Sequence, residues 1–156
     1  MFPVILRSAL HNLGVLAVGL GWAYLGTRID ATLGLQAFAS IPVSVAAVVL
    51  LVAGFLTRLW ATAHFYSHGM RVISLEPQGT LVTSGPFRFS RNPLYLGGNV
   101  FTFFGASLLL GSPAALAMTA LHLPLVDLMI RREERQLDGR FGEEWRSYRA
   151  RVRRWI

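Results

Sequence analysis

The chain has 156 residues, 53% of them hydrophobic and only 15% charged, with a formal net charge of +7; an ordinary soluble domain carries about 25% charged residues, so neither a soluble globule nor a disordered chain fits. Cysteine and lysine are absent and all 15 basic residues are arginine, which excludes disulfides, a cysteine nucleophile, Cys-based metal sites, Schiff-base chemistry and a P-loop. The excess arginine lies beside apolar runs, which reads as a membrane flank and not as a nucleic-acid surface.

Residues 8–27, 31–57 and 92–126 contain no charge at all, runs of 20, 27 and 35 residues. The first two predict transmembrane helices over about 9–26 and 41–63, with Arg58 near the end of the second. The third is too long for one crossing: at about 1.5 Å per residue it would reach about 52 Å, against a hydrocarbon core of about 30 Å. Gly111-Ser112-Pro113 divides it, because Gly ends a helix, Ser caps the next and Pro suits a first turn. Spans at 93–110 and 113–130 follow. The expected fold is all-α: an integral membrane protein of four transmembrane helices and an amphipathic C-terminal segment, one domain over 1–156. Arg28 and Asp30 stand between the first apolar run and the Ala37-Phe38-Ala39 triplet, so a cleaved signal peptide is not expected.

Arginine asymmetry orients the spans. With both termini on one side, that side holds fourteen arginines, and the other holds Arg28 and the bare Gly111-Ser112 turn. This places both termini and the 64–92 loop in the cytoplasm. The loop has turn signals at Glu76-Pro77-Gln78-Gly79 and Ser84-Gly85-Pro86, and its length marks it as a candidate functional element. In the 131–154 segment, Leu137, Phe141, Trp145, Tyr148, Val152 and Trp155 recur at helical spacing. Gly139 and Gly142 predict a bend before it. Such a face either lies on anionic lipid or folds back to close a site; the two are compatible.

Soluble-enzyme signatures are missing: Gly19-Leu20-Gly21 lacks a third glycine, and there is no HExxH, GxSxG or P-loop. His64 and His68 share a helix spacing without a nearby acid, so no metal is expected. His122 and Asp127 are ionisable residues within a span, functional candidates by position; Asp127 is also four residues from Arg131, the spacing of a simple ion pair.

Two stretches remain, Thr80 to Gly97 and Glu133 to Tyr148. They contain Thr83-Ser84-Gly85, Asn92-Pro93-Leu94-Tyr95, Glu133-Glu134-Arg135-Gln136-Leu137 and Phe141-Gly142-Glu143-Glu144-Trp145-Arg146-Ser147-Tyr148. The local alternative for Asn92-Pro93 is a helix cap followed by proline in the first turn. In order and spacing these stretches resemble the signature of the membrane methyltransferase superfamily, which includes isoprenylcysteine carboxyl methyltransferases and phospholipid N-methyltransferases. The resemblance covers about residues 72–154. It implies S-adenosylmethionine as cofactor, held by Thr80, Leu81, Val82, Phe87, Asn92, Pro93, Leu94, Tyr95 and Glu133; Glu134, one helical step away, is expected to face outward. It implies an amphipathic acceptor drawn from the bilayer, at a site on the cytoplasmic face. Two positions depart from the carboxyl methyltransferase pattern: Asn92 stands where those enzymes have His, as in the phospholipid branch, and Met129 stands where they place an Arg.

Methyl transfer from a sulfonium needs an aromatic that tolerates a cation, a carboxylate for the donor's polar end and donors for its carboxylate; Tyr95 or Phe87, Glu133 and Arg91 are of those types. Arg131 and Arg132 are nearest to replace the missing Arg, so Arg91, Arg131 and Arg132 are the catalytic candidates. Displacement from an activated methyl requires no metal; positioning and water exclusion carry the rate. A carboxylate acceptor needs no base, whereas an amine must first lose a proton. The expected acceptor is therefore the carboxylate of an isoprenylcysteine-like acid, with a lipid amine second; a nicotinamide-dependent membrane reductase and a non-enzymatic scaffold are the readings from other classes.

Overall fold

The computed structural model describes residues 2–70 and 79–156, so Arg71 and most of the Glu76-Pro77-Gln78-Gly79 turn lie outside the described residues. Helix α1 runs Phe2–Leu33 and α2 runs Ile41–Ser67. Both extend past the predicted spans, because a helix need not stop where its apolar run meets water. Ser40 caps α2 by accepting from the Val43 amide, with Pro42 in the first turn. Helix α3 runs Pro93–Leu109 and is shorter than the other long helices. Its segment Leu96–Thr102 is wound as a π-helix, and the Thr102 hydroxyl donates to the Gly97 carbonyl, five residues back, at 2.7 Å. Helix α4 runs Pro113–Phe141 and α5 runs Glu143–Arg151. Among the described residues there is no strand.

Three helices, α1, α2 and α4, are long and apolar enough to cross a membrane. Their outward faces carry the large apolar side chains: Val45, Val48, Val49, Val52 and Leu56 on α2, and Leu121, Leu125 and Leu128 on α4 are all exposed. The interior is built from small residues instead. Ala23, Ala106 and Ala115 form a buried cluster against Leu51, while Ser107, Thr119 and Thr62 are fully buried. Lipid is as apolar as leucine, so helices in a bilayer gain by close approach at small residues and by buried hydrogen bonds. Trp22 Nε1 donates to Thr119 at 3.1 Å, and His122 Nε2 meets Asn99 Oδ1 at 3.0 Å. His122, a candidate by position, is thus a partnered interior residue stacked on Phe103.

The short connections 34–40 and 110–112 meet at one end of the bundle, where the Phe38 amide donates to the Gly111 carbonyl at 3.0 Å. Helix α4 begins there as the Gly111-Ser112-Pro113 signal predicts: Ser112 accepts from the Ala115 amide at 3.0 Å. A second cap comes from α1. Buried Asp30 accepts from the Ala114 amide at 2.9 Å and from the Ser112 hydroxyl at 2.5 Å, an anion at a helix N-terminus. Asp30→Ala should cost about 0.5–2 kcal/mol, the range for a lost N-cap. Asp30→Asn should cost less, since its amide oxygen still accepts from Ala114. Thermal unfolding of both variants in detergent checks the order.

The opposite end gathers residues 64–70 and 79–92, the polar end of α4, α5 and the segment after it. Helix α4 passes through Gly139 without interruption and breaks at Gly142, whose φ of 52° is one that glycine adopts freely. The chain then folds back. Trp145 and Tyr148 are buried, and the Tyr148 hydroxyl donates to the Phe87 carbonyl at 2.8 Å. The apolar face predicted for this segment is therefore turned onto the protein at those two residues.

Candidate functional site

The Ser84-Gly85-Pro86 turn leads into a 3₁₀ turn, Gly85–Arg88, that docks against the end of α2. Phe87 stacks on Phe65 with centroids 4.9 Å apart and rings within 9° of parallel. Val82, Phe87 and Ala61 form a buried cluster flanked by Met70 and Leu94. Ser84 Oγ and His64 Nε2 are 2.8 Å apart. Of the expected cofactor residues, Val82, Phe87 and Pro93 are buried, Leu81, Asn92, Leu94 and Tyr95 partly buried, and Thr80 exposed. His64 and His68 are in contact, but no group of metal-ligating side chains forms among the described residues.

Asn92 precedes α3 with φ −130° and ψ 50°, and its side chain makes no capping bond. The cap alternative for Asn92 does not hold, because its amide is committed elsewhere: Nδ2 donates to the Arg154 carbonyl at 3.1 Å. The same carbonyl accepts from Ser90 Oγ at 3.2 Å, and the Arg91 amide donates to the Arg153 carbonyl at 2.9 Å. The segment after α5 is thus strapped across the head of α3.

Electrostatics fasten this strap. Arg91 gives Nε and Nη2 to Glu134 Oε1, at 3.1 and 2.9 Å, and Nη1 to the carbonyls of Arg149 and Val152, both at 2.9 Å. Arg154 gives Nη2 to Glu134 Oε2 at 2.7 Å and Nη1 to Asp127 Oδ1 at 3.1 Å. Asp127 also accepts from Arg131 Nε at 2.6 Å, the ion pair its spacing predicts. Glu134 is buried, which corrects the expectation that it faces outward: it is the counter-charge two arginines share. Burial works to raise its pKa, but Arg154 and Arg91 overcome this and hold it below the usual carboxylate value. The same pairing with Glu134 raises Arg154 despite its partial burial.

One helical step away, Glu133 is exposed and accepts a 2.5 Å bond from the Tyr95 hydroxyl. Partial loss of water pushes its carboxyl above the usual range, with the Tyr95 hydrogen bond pulling the other way. The structure therefore brings Tyr95 and Glu133 together, and Arg91 with Asn92 beside the strap. Arg91 and Arg131 are already paired with acids, while Arg132 is exposed and has no ion-pair partner among the described residues.

Sequence reasoning missed Arg154, whose partners lie far away along the chain, and Arg58. Arg58 is a buried cation bonded to Asn12 and to the Leu94 carbonyl. A lone arginine in an apolar run was the available signal.

A bundle of lipid-length helices, with polar groups collected at one end around an aromatic–carboxylate pair, defines an integral membrane protein. The model of the phospholipid methyltransferase family matches residues 43–144, which take in the apolar part of α2, the 79–92 loop, α3, α4 and the Glu133-Glu134 pair. The chain belongs to this family, within the superfamily that its two signature stretches resemble, and is accordingly a membrane methyltransferase. Comparison with curated proteins and with solved structures found no match.

Proposed function

We propose that the protein transfers a methyl group from S-adenosylmethionine to the headgroup amine of a phospholipid. The Glu133–Tyr95 pair carries the proposal: a carboxylate and an aromatic hydroxyl meet at the head of α3, the partner types that a cationic donor requires. Glu133 and Tyr95 take the donor's polar end, Asn92 and Leu94 flank it, and Leu81, Val82, Phe87 and Pro93 form the wall, with Thr80 at the rim. The strap keeps water out. The amine nitrogen attacks the methyl carbon, the C–S bond electrons return to sulfur as S-adenosylhomocysteine leaves, and the amine's proton goes to solvent.

The family supports a lipid acceptor, and Asn92 agrees with the phospholipid branch. Of the two arginines expected to meet a prenylcysteine carboxylate, Arg131 has a carboxylate partner of its own and Arg132 is exposed. The pH profile separates the two acceptor classes. A carboxylate is ionised throughout the neutral range, so its methylation is flat there, whereas amine methylation rises with pH as the ammonium loses its proton.

Calorimetric titration of the detergent-purified protein with S-adenosylhomocysteine, and separately with NADPH, tests the cofactor. Binding of the first alone supports the proposal; binding of NADPH alone favours a reductase; binding of neither leaves the scaffold.

The reading includes four crossings, with α3 as the short fourth, and both termini and the site in the cytoplasm. Because the chain is free of cysteine, single cysteines report this directly. Gln36→Cys, in the exposed 34–40 connection, should react with an impermeant maleimide on intact cells. Ser147→Cys, exposed on α5, should react only after permeabilisation. The reverse pattern inverts the topology.

A further inference from the structure

Arg58 has no part in the site built above. It stands on α2 within the apolar run and is 8% exposed. Nε donates to Asn12 Oδ1 at 2.9 Å, Nη1 donates to the Leu94 carbonyl at 2.6 Å, and Nη2 lies 3.3 Å from His11 Nε2. None of these partners is an anion. No carboxylate among the described residues pairs with Arg58, whereas Arg91, Arg131, Arg146 and Arg154 each have one. A guanidinium carries five N–H donors, so these three contacts leave donors over.

The surroundings are shaped for this cation. A Cβ on Gly98 would lie 2.6 Å from Arg58 Nη1, and one on Gly97 would lie 2.8 Å from its Cγ. Helix α3 is therefore hollowed where the guanidinium enters, at the beginning of its π-wound stretch. Tying helices together needs only neutral amides or hydroxyls, which are far less costly to bury than a charge without a counter-ion. An ionisable residue held within a span is by default a candidate functional position. His11, Leu94 and Tyr95 are each partly exposed. Leu94, which holds Arg58, is next to Tyr95, which holds Glu133.

We propose that Arg58 binds the oxyanion of the acceptor's headgroup, a phosphodiester, and so selects lipids that carry phosphate beside the amine to be methylated. The guanidinium fork matches phosphate geometry and is less strongly hydrated than an ammonium, which suits a half-dry site. The proposal rests on the methyltransferase reading for the use of the site, but anion binding is measurable without turnover.

The test titrates detergent-purified protein with short-chain phosphatidylethanolamine and with an amine of the same acyl-chain length lacking phosphate, in the parent, Arg58→Gln and Gly98→Ala. The parent should bind the phosphodiester lipid at least tenfold more tightly, within the range for a charge-assisted hydrogen bond. Arg58→Gln should erase that preference while S-adenosylhomocysteine affinity stays unchanged. Gly98→Ala retains the charge but displaces Nη1, so it should cut the preference and gives a reading should Arg58→Gln fail to fold. No preference in the parent, a preference that survives in the folded variants, or equal weakening of both lipids overturns the proposal. Soluble glycerophosphoethanolamine binding as tightly as the lipid overturns a bilayer source. A parent that binds the phosphodiester lipid selectively but no S-adenosylhomocysteine sinks the methyltransferase reading and keeps this one.

Discussion

Glu134→Gln should destabilise the protein by about 3–5 kcal/mol, the cost of removing one partner from a buried ion pair. The side chains of Arg91 and Glu134 are 10% and 9% exposed, and that of Arg154 is 26% exposed, so neither arginine recovers full hydration when the carboxylate is lost. Glutamine fills the same volume and still accepts one hydrogen bond, which isolates the charge. Thermal unfolding in detergent reads the loss, and faster proteolysis of the segment after α5 should accompany it. The pH dependence has a fixed sign. Because the folded pKa of Glu134 lies below its ordinary value, its contribution is fully present above the unfolded glutamate pKa of about 4.3 and is lost as pH falls through the folded value. Stability in that acid window should be flatter for the variant than for the parent. An unchanged melting point at neutral pH would mean the arginines find water where the strap now lies.

The neighbouring acid should behave in the opposite way. Glu133→Gln should weaken S-adenosylhomocysteine binding by about 1.5–3 kcal/mol, the range for a charge-assisted hydrogen bond, and leave the melting profile nearly intact. Glu133 is exposed and its hydrogen-bond partner among the described residues is the Tyr95 hydroxyl, which the amide oxygen of glutamine can still receive. Tyr95→Phe keeps the aromatic face and removes the hydroxyl, so its loss of affinity should be the smaller. Calorimetry and melting on the Glu133 and Glu134 variants together give a crossed pattern: ligand affinity falls in one, stability in the other. Parallel losses in both would reduce the pair to one structural charge cluster and remove Glu133 from the site.

Much of the bundle was legible in the sequence because its signals are local. Charge-free runs mark α1, α2 and α4, and Gly111-Ser112-Pro113 carries its own capping chemistry, found as read. The pairing of Asp127 with Arg131 follows from spacing along one helix face. Helix ends were less legible, since α4 continues from its apolar part to Phe141 as a charged helix. The facing of Glu133 and Glu134 was not legible at all. Adjacent positions differ by about 100° around a helix, and the choice between them is made by Arg91 and Arg154 arriving from elsewhere. The cap alternative for Asn92 fails for a related reason: its partner is a backbone carbonyl in the segment after α5, and a carbonyl has no residue-type signature.

The π-wound stretch Leu96–Thr102 makes α3 sensitive to counting as well as to chemistry. A tighter α winding would thread the same stretch with a different angular phase, and each residue of phase is worth about 100°. The lower half of α3 is keyed to the interior through Ser107, whose hydroxyl lies 3.3 Å from that of Thr119; the upper half is keyed to α4 through Tyr95. Removing one residue within the π-wound stretch would let it wind as ordinary α-helix with both halves still facing their neighbours, because a π turn holds one residue more than an α turn. A one-codon deletion in the α-wound turns after Thr102 is therefore the harsher change: it turns Ser107 and Tyr95 about 100° out of phase, so that Tyr95 swings away from Glu133 or Ser107 from Thr119 without altering a single residue of the mouth.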